Sequence, residues 1–111
     1  MEKSFSQMTE HELKQEITRL REKARKAEQA GMLNEYEVYE RKAIVAESYL
    51  LNPFDFKTSK VYRFKTDPET YFRIDYFKGV FAWGYRLNGD GSKEGVPLAL
   101  LEEVKEPVPY Y

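Results

Sequence analysis

The stretch YFRIDYFKGVFAWGYR, residues 71–86, decides the fold of the second half of the chain. It is rich in the aromatic and β-branched residues that favour strands, and apolar side chains alternate with charged ones. Gly79 permits the positive φ of a tight hairpin. The pattern predicts two antiparallel strands, Tyr71–Lys78 and Val80–Leu87. In the first of them Phe72, Ile74 and Tyr76 are predicted to share one face, opposite Arg73 and Asp75.

The second predicted strand carries one bulky row and one row of mostly small side chains. The bulky row is Phe81, Trp83, Tyr85 and Leu87, and the other row is Val80, Ala82, Gly84 and Arg86. Because a small barrel must fill its interior with large side chains, we expect the bulky row to form the core. Ala82 and Gly84 would then lie outside, or where another element packs closely. The alternative is an exposed aromatic platform around Trp83.

Outward from this hairpin, Val61–Lys65 reads as a further strand and the glycine-containing segment Asn88–Gly95 as a loop. Val96–Val104 fits either a short strand or a helical turn. Several short antiparallel strands expose edges unless the sheet closes on itself. We therefore predict a small closed β-barrel over residues 53–104.

The first half follows a helical period. Thr9 and Glu12 form a capping-box pattern, Gly31 ends the first predicted helix, and Asn52-Pro53 ends the second. The predicted apolar stripes are Leu13, Ile17, Leu20, Ala24 and Ala27 on the first helix and Tyr36, Tyr39, Ala43, Ala46 and Leu50 on the second.

The link between these helices is so short that they must form an antiparallel hairpin, predicted over residues 1–52. A hairpin this small buries too little apolar surface to persist alone, so its outer stripe should rest on the barrel or on a second copy of itself. We expect one α+β folding unit with a flexible tail at residues 105–111, and the hairpin as the surface for homo-oligomers.

Composition narrows the class of protein. The 111 residues suit one domain, and 18 Lys plus Arg against 19 Asp plus Glu give a net charge of -1. The absence of cysteine excludes disulfides and thiol chemistry. No secretory signal pattern and no long apolar run are visible, so we expect a cytoplasmic protein without a membrane partner.

Four runs of sequence carry a family resemblance. They are SQMTEHELKQEI (6–17), EKARKAEQAGMLNEYEVYERK (22–42), YLLNP (49–53) and GVFAWGYR (79–86). Over residues 4–104 the chain closely resembles the YfhH-like family of small uncharacterised bacillary proteins. The resemblance implies a helical hairpin followed by a barrel of SH3 type, and a regulator of transcription. It implies no catalytic motif, and no residue role is carried over.

The sequence contains few residues that could form a catalytic or metal site. His11 is the single histidine and falls in the first turn of a helix, where exposed side chains are the norm. The acids Asp75 and Glu69 have nothing that distinguishes them from surface carboxylates. We therefore expect no enzyme, no metal and no cofactor.

Cations interleaved with aromatic residues are the main functional signal, because base stacking beside positive charge suits single-stranded nucleic acid. The same arrangement of aromatic side chains beside cations also suits the binding of proline-rich or methyl-lysine peptides. We predict a non-catalytic binding module that contacts nucleic acid; the alternative is an adaptor that captures a protein in a barrel or hairpin groove. The candidate surface residues are Arg63, Arg73, Lys78 and Arg86 on the strands, and Arg21 and Arg25 on a helical flank that otherwise is simply solvated.

Overall fold

The computed structural model describes residues 3–108 and divides after Leu51 into two compact units. The boundary lies next to the one predicted between residues 52 and 53. The predicted tail falls partly beyond the described chain: residues 105–108 follow the last strand without regular structure, and residues 109–111 lie outside the described residues. Each unit is described by itself.

The first unit is a helical hairpin, as predicted. A short 3₁₀ turn, Phe5–Gln7, precedes α1 (Glu10–Gln29) and α2 (Leu33–Ser48). The capping box at the start of α1 is present: Thr9 Oγ1 accepts from the Glu12 amide at 3.1 Å, and the Thr9 amide donates to Glu12 Oε1 at 3.0 Å. Gly31 ends the first helix with a φ of 74°, a conformation that glycine adopts without steric cost.

Small and aliphatic residues bury the contact between the two helices, which pack along each other. Alanines in the stripe bring helix backbones close together. The buried positions are Leu13, Leu20, Ala24 and Ala27 on α1, and Ala43, Ala46 and Ser48 on α2. The predicted stripe of α1 is thus largely confirmed, whereas that of α2 is confirmed only at its two alanines, and Leu50 is exposed beyond the end of α2.

The second unit is an antiparallel sheet with strand order β4-β3-β2-β1-β5 among the described residues. The strands are β1 (Val61–Phe64), β2 (Tyr71–Lys78), β3 (Phe81–Arg86), β4 (Glu94–Pro97) and β5 (Leu101–Glu103). The tight turn between β2 and β3 uses Gly79 at a φ of 60°, as predicted. The segment left open as strand or helical turn contains both, because a 3₁₀ turn, Leu98–Leu100, joins β4 to β5.

The closed barrel is not confirmed, since the described sheet is open and has β4 and β5 at its edges. A flat five-stranded sheet would separate its edge strands by about 19 Å. The chain from Pro97 to Leu101 reaches at most about 14 Å even when fully extended, and here it is coiled into a 3₁₀ turn. The sheet must therefore be strongly curved, which brings its two edges towards each other.

The core lies on one face of this sheet, here called the inner face. Its buried cluster is Tyr62, Phe64, Phe72, Ile74, Ala82, Val96, Leu98 and Leu101, with Phe56, Phe77 and Leu100 packed against it. Phe64 and Phe72 meet edge to face, with ring centroids 5.8 Å apart. The buried Tyr62 hydroxyl accepts a hydrogen bond of 2.9 Å from the Lys57 amide.

The predicted faces of β3 are wrong. Ala82 and Gly84 are buried on the inner face, whereas Trp83 is half-buried and Tyr85 exposed on the opposite, outer face. The physical reason is backbone proximity: a Cβ on Gly84 would lie 1.9 Å from the Arg73 carbonyl oxygen, so no side chain fits there. Large residues from β1, β2 and the β4–β5 connection fill the core instead.

A β-bulge in β2 explains a second error. Ile74 pairs with Gly84, but Tyr76 pairs with Trp83, so Asp75 is an extra residue in the ladder. The insertion reverses the alternation, and Tyr76 turns outward while Phe77 turns to the core beside Ala82. Tyr76 therefore does not share a face with Phe72 and Ile74 as predicted.

Candidate functional site

Two aromatic rings lie side by side on the outer face. Tyr76 and Trp83 are directly paired across β2 and β3, and their rings are parallel within 3°, with centroids 6.2 Å apart. The Trp83 indole lies over Gly95 of β4, where a Cβ would come within 2.5 Å of indole Cε2. Because Gly95 has no side chain, it leaves room for the indole to lie across the neighbouring strand.

A lysine completes the cluster. Lys93 Nζ lies 5.1 Å from the Tyr76 ring centroid and 5.4 Å from that of Tyr85, distances at which cation–π attraction operates. The same ammonium donates to Asp75 Oδ2 at 2.8 Å. That bond to Asp75 raises the pKa of Lys93. We call Tyr76, Trp83, Tyr85 and Lys93 the aromatic patch.

The aromatic patch is open to solvent. Tyr76 is 43% exposed and Tyr85 37% exposed, so both rings present surface to solvent. Arg73 pairs with Tyr85 across β2 and β3, and with Asp75 and Ile74 these residues line a depression of about 210 Å³. The outer face therefore combines ring surface with cations in one place.

Arg73 and Lys78 are the predicted site residues that join this surface. Both are exposed on the outer face of β2, and neither forms an ion pair within residues 3–108. Lys78 pairs with Phe81 at the far end of the hairpin. These two cations flank the aromatic patch along one strand.

Arg63 and Arg86 are each neutralised by carboxylates. Arg63 lies on β1 and donates to Glu106 Oε1 at 2.7 Å, with Glu102 3.7 Å away. Arg86 belongs to the inner row, where its guanidinium covers the Phe64 ring at 4.5 Å and binds Glu94 through two bonds of 2.9 and 3.2 Å. Both arginines are thus paired with carboxylates of the same unit.

The helical candidates are also paired. Arg21 bridges the hairpin by binding both Glu40 and Glu47 of α2. Its partial burial opposes the charged form, but the bonds to the two carboxylates outweigh that effect and raise the pKa of Arg21. Arg25 binds Glu22 one turn away, with its Nε 3.1 Å from Oε2. Arg21 therefore joins the two helices, whereas the Arg25–Glu22 pair lies within α1, and these two arginines do not form a free cationic flank.

The residues considered for catalysis are exposed, and one of them is already bonded to a lysine. His11 is exposed in the first turn of α1, and the Asp75 carboxylate is bonded to Lys93. Glu69 is exposed in the connection between β1 and β2. In the part of the chain that the structure describes, no three His, Asp or Glu side chains gather as metal ligands. Within the same range, no helix is both long and apolar enough to cross a bilayer.

Lys93 and Gly95 were missed by the sequence analysis, which placed both in an unassigned loop. A glycine within reach of a cross-strand tryptophan was the available signal, because a large ring that crosses a neighbouring strand needs a position without a side chain. Lys93 had no comparable signal. Its position depends on the loop geometry, including the Ser92 amide bond to Asp90 Oδ1 at 2.8 Å.

Comparison with known proteins gives a family. Residues 3–102 match the model described as a protein of unknown function, DUF1811. The chain is also 52% identical over 103 residues to the uncharacterized protein YfhH of Bacillus subtilis (strain 168), an alignment that covers 93% of this chain and 98% of that protein. The chain belongs to the DUF1811 family. The YfhH-like resemblance is thereby confirmed, whereas neither description of a DUF1811 protein mentions regulation of transcription.

Proposed function

We propose that this DUF1811 protein is a non-catalytic binding module that holds single-stranded nucleic acid on the aromatic patch. The observation that carries the proposal is the outward position of Trp83 beside Tyr76 and Tyr85, with cations around them. Stacking of one base on an aromatic side chain contributes about 1–3 kcal/mol without demanding a particular base.

The charges around the rings support an anionic ligand. Arg73, Lys78 and Lys93 surround the patch, and Asp75 is the carboxylate among them. Positive charge beside stacking rings suits a phosphate backbone that places its bases against the sheet. The helical hairpin is less suited to a duplex groove, because Arg21 and Arg25 are already bound to glutamates. Regulation of transcription is the cellular role that we propose for such contact.

Intrinsic fluorescence tests the proposal without a label, because Trp83 is the single tryptophan of the chain. The full-length protein is titrated with single-stranded DNA and RNA of about 12 nucleotides and with a duplex of equal length, at about 50 mM salt. We expect the single strands to quench Trp83 fluorescence and the duplex to have a weaker effect. Binding should weaken steeply as salt is raised, because counterions are released from the strand.

Variants locate the binding surface. Trp83→Ala and Tyr85→Ala, followed by anisotropy of a labelled strand, should each lower affinity by about tenfold, the equivalent of one lost stacking contact. Phe54→Ala is the matched control, because Phe54 is an exposed ring elsewhere in the same unit. Lack of binding by all nucleic acids at about 50 mM salt would remove the proposal. Equal binding by all variants would place the site elsewhere.

A second candidate function, a protein-interaction adaptor, is favoured by a separate apolar groove. Phe54 is 91% exposed and, with Phe56 and Phe77, lines a groove of about 630 Å³. Contacts of Phe56 with Tyr62 hold this segment on the core while the Phe54 ring faces solvent. Capture of one protein from a nuclease-treated lysate, lost in Phe54→Ala and retained in Trp83→Ala, would favour the adaptor.

Three further assignments remain proposals. The strong curvature of the sheet and the 3₁₀ turn between β4 and β5 support a partly open barrel of SH3 type. The exposed Leu33 and Val38 of α2 support homo-oligomers through the hairpin, which sedimentation of the full chain would test. A cytoplasmic location is the setting in which we propose that the protein meets its ligand.

A further inference from the structure

The Lys93 ammonium is the cation that lies among the rings of the aromatic patch. It lies between the rings of Tyr76 and Tyr85 and is bonded to the Asp75 carboxylate at 2.8 Å. Both partners of this pair are substantially exposed, with 37% of the Lys93 and 50% of the Asp75 side-chain surface open to solvent. An exposed pair of this kind is weakly held and exchanges readily for another anion.

The bulge in β2 places Tyr76 on the same outer face as Asp75. As the extra residue between Ile74 and Tyr76, Asp75 has no partner of its own on β3. Its carboxylate meets the lysine at the end of the β3–β4 loop, next to the ring on which a base would stack. The carboxylate thus holds a lysine in a defined place and at the same time neutralises it.

We propose that Lys93 is the residue that binds a phosphate of the single strand, and that Asp75 is a positioning residue that competes with this phosphate for the same ammonium. The inference rests on the proposed function. Binding then breaks the Lys93–Asp75 bond and forms a Lys93–phosphate bond. Because this exchange costs the Lys93–Asp75 bond, Asp75 weakens the complex through Lys93, and the chain carries its own restraint on affinity.

Four variants test the exchange by oligonucleotide anisotropy at several salt concentrations. Removal of the Asp75 charge in Asp75→Asn should tighten binding about threefold, and Lys93→Gln should weaken it about fivefold with a shallower salt dependence, by about 0.7 in the log–log slope. Lys93→Arg retains the cation and should remain within about twofold of the unmodified protein. Glu69→Gln removes one negative charge at an exposed position in the β1–β2 connection and should leave affinity nearly unchanged.

The double variant Asp75→Asn with Lys93→Gln separates this exchange from a simple effect of net charge. It has the same net charge as the unmodified protein, so a net-charge effect predicts unmodified affinity. The exchange predicts the weak affinity of Lys93→Gln alone, because Asp75 acts only through Lys93. Thermal unfolding of each variant shows whether the sheet is intact, and Asp75→Ser repeats the test with a different side chain.

The outcomes distinguish two failures. If the unmodified protein binds no single strand, the proposed function fails and the exchange fails with it. If it binds in a Trp83-dependent manner but Asp75→Asn and Asp75→Ser bind no more tightly, the exchange is wrong and the proposed function stands. A double variant with unmodified affinity, or a Glu69→Gln variant as tight as Asp75→Asn, likewise overturns the exchange.

Discussion

On its inner face β3 presents Ala82 and Gly84, and on its outer face it presents Trp83 and Tyr85. The small residues are buried because neighbouring elements supply the bulk of the core and the β2 backbone passes directly beside Gly84. The large rings are outside and partly in water, held by a glycine on one neighbouring strand and a tyrosine on the other. Side-chain size is therefore a poor guide to the core when a sheet is strongly curved.

The largest effect should come from the inner face. Phe72 is fully buried and packs against Phe64, so Phe72→Ala removes a ring from the core and should lower the free energy of unfolding by about 4 kcal/mol. Tyr85→Ala removes a ring of similar size from the outer face and should cost less than about 1.5 kcal/mol. Urea denaturation measures both. Equal losses would show that the two faces contribute alike.

Two glycines, Gly84 on the inner face and Gly95 beside the outer-face Trp83, allow a second comparison of the two faces. Gly84→Ala places a methyl group against the Arg73 backbone, which cannot move without breaking the ladder, and should cost about 3 kcal/mol. In Gly95→Ala the atoms nearest to the added methyl group belong to the Trp83 side chain, which can rotate away, so the change should cost about 1 kcal/mol and shift the Trp83 emission. Chemical denaturation followed by fluorescence records both quantities. A Gly95→Ala protein with unchanged emission would contradict the contact between the indole and Gly95.

Trp83→Ala separates stability from binding. Since the indole is half-buried, its loss should cost about 1–2 kcal/mol of folding free energy, less than the loss of Phe72. Circular dichroism during thermal unfolding provides the measurement, because the variant has no tryptophan. A loss as large as that of Phe72→Ala would mean that Trp83 belongs to the core after all.

The smallest effect on the free energy of unfolding is expected at Arg86, the exposed end of the inner row of β3. Arg86 and Glu94 form a two-bond pair, but both side chains are well exposed. Water and salt screen such pairs, so Glu94→Gln should change the free energy of unfolding by less than about 1 kcal/mol. Glu69→Gln serves as the control, because Glu69 is exposed and forms no ion pair within residues 3–108. A loss of more than about 2 kcal/mol in the free energy of unfolding would show that the Arg86–Glu94 pair contributes to stability as a buried pair does.

Much of the fold could be predicted from the sequence. The capping box, the terminating Gly31 and the helical stripes gave both helices, and strand composition gave the first three strands. These features are encoded by neighbouring residues, so local patterns suffice. The sequence predicts a loop for the first half of β4, Glu94 and Gly95, which is wrong, and it does not decide between strand and helical turn for the rest of β4 and for β5. The pairing of β5 with β1 depends on residues far apart in the chain, so local patterns do not reveal it.

The candidate site was predicted less well. Arg73 and Lys78 lie on the outer face and form no ion pair among residues 3–108. Carboxylates bind the other four predicted arginines, and the sequence spacing did not predict these pairs. The four are Arg63, Arg86, Arg21 and Arg25. The bulge at Asp75 places Tyr76 on the outer face, and nothing in the residue pattern of β2 predicts this bulge. Lys93 reaches the rings through the course of the loop, which depends on the folded sheet.

The pairing of β1 with β5 sets the order in which this unit is completed during synthesis. During synthesis β1 emerges before β5, and β5, which covers the second edge of β1, is the last of the described strands to emerge. Until then the backbone groups along that edge have no partner, and Leu98 and Leu101 are missing from the core. The nascent chain therefore passes through a stage in which the edge of β1 is unpaired and can pair with another chain. A truncation before Leu101 would leave that edge of β1 permanently unpaired.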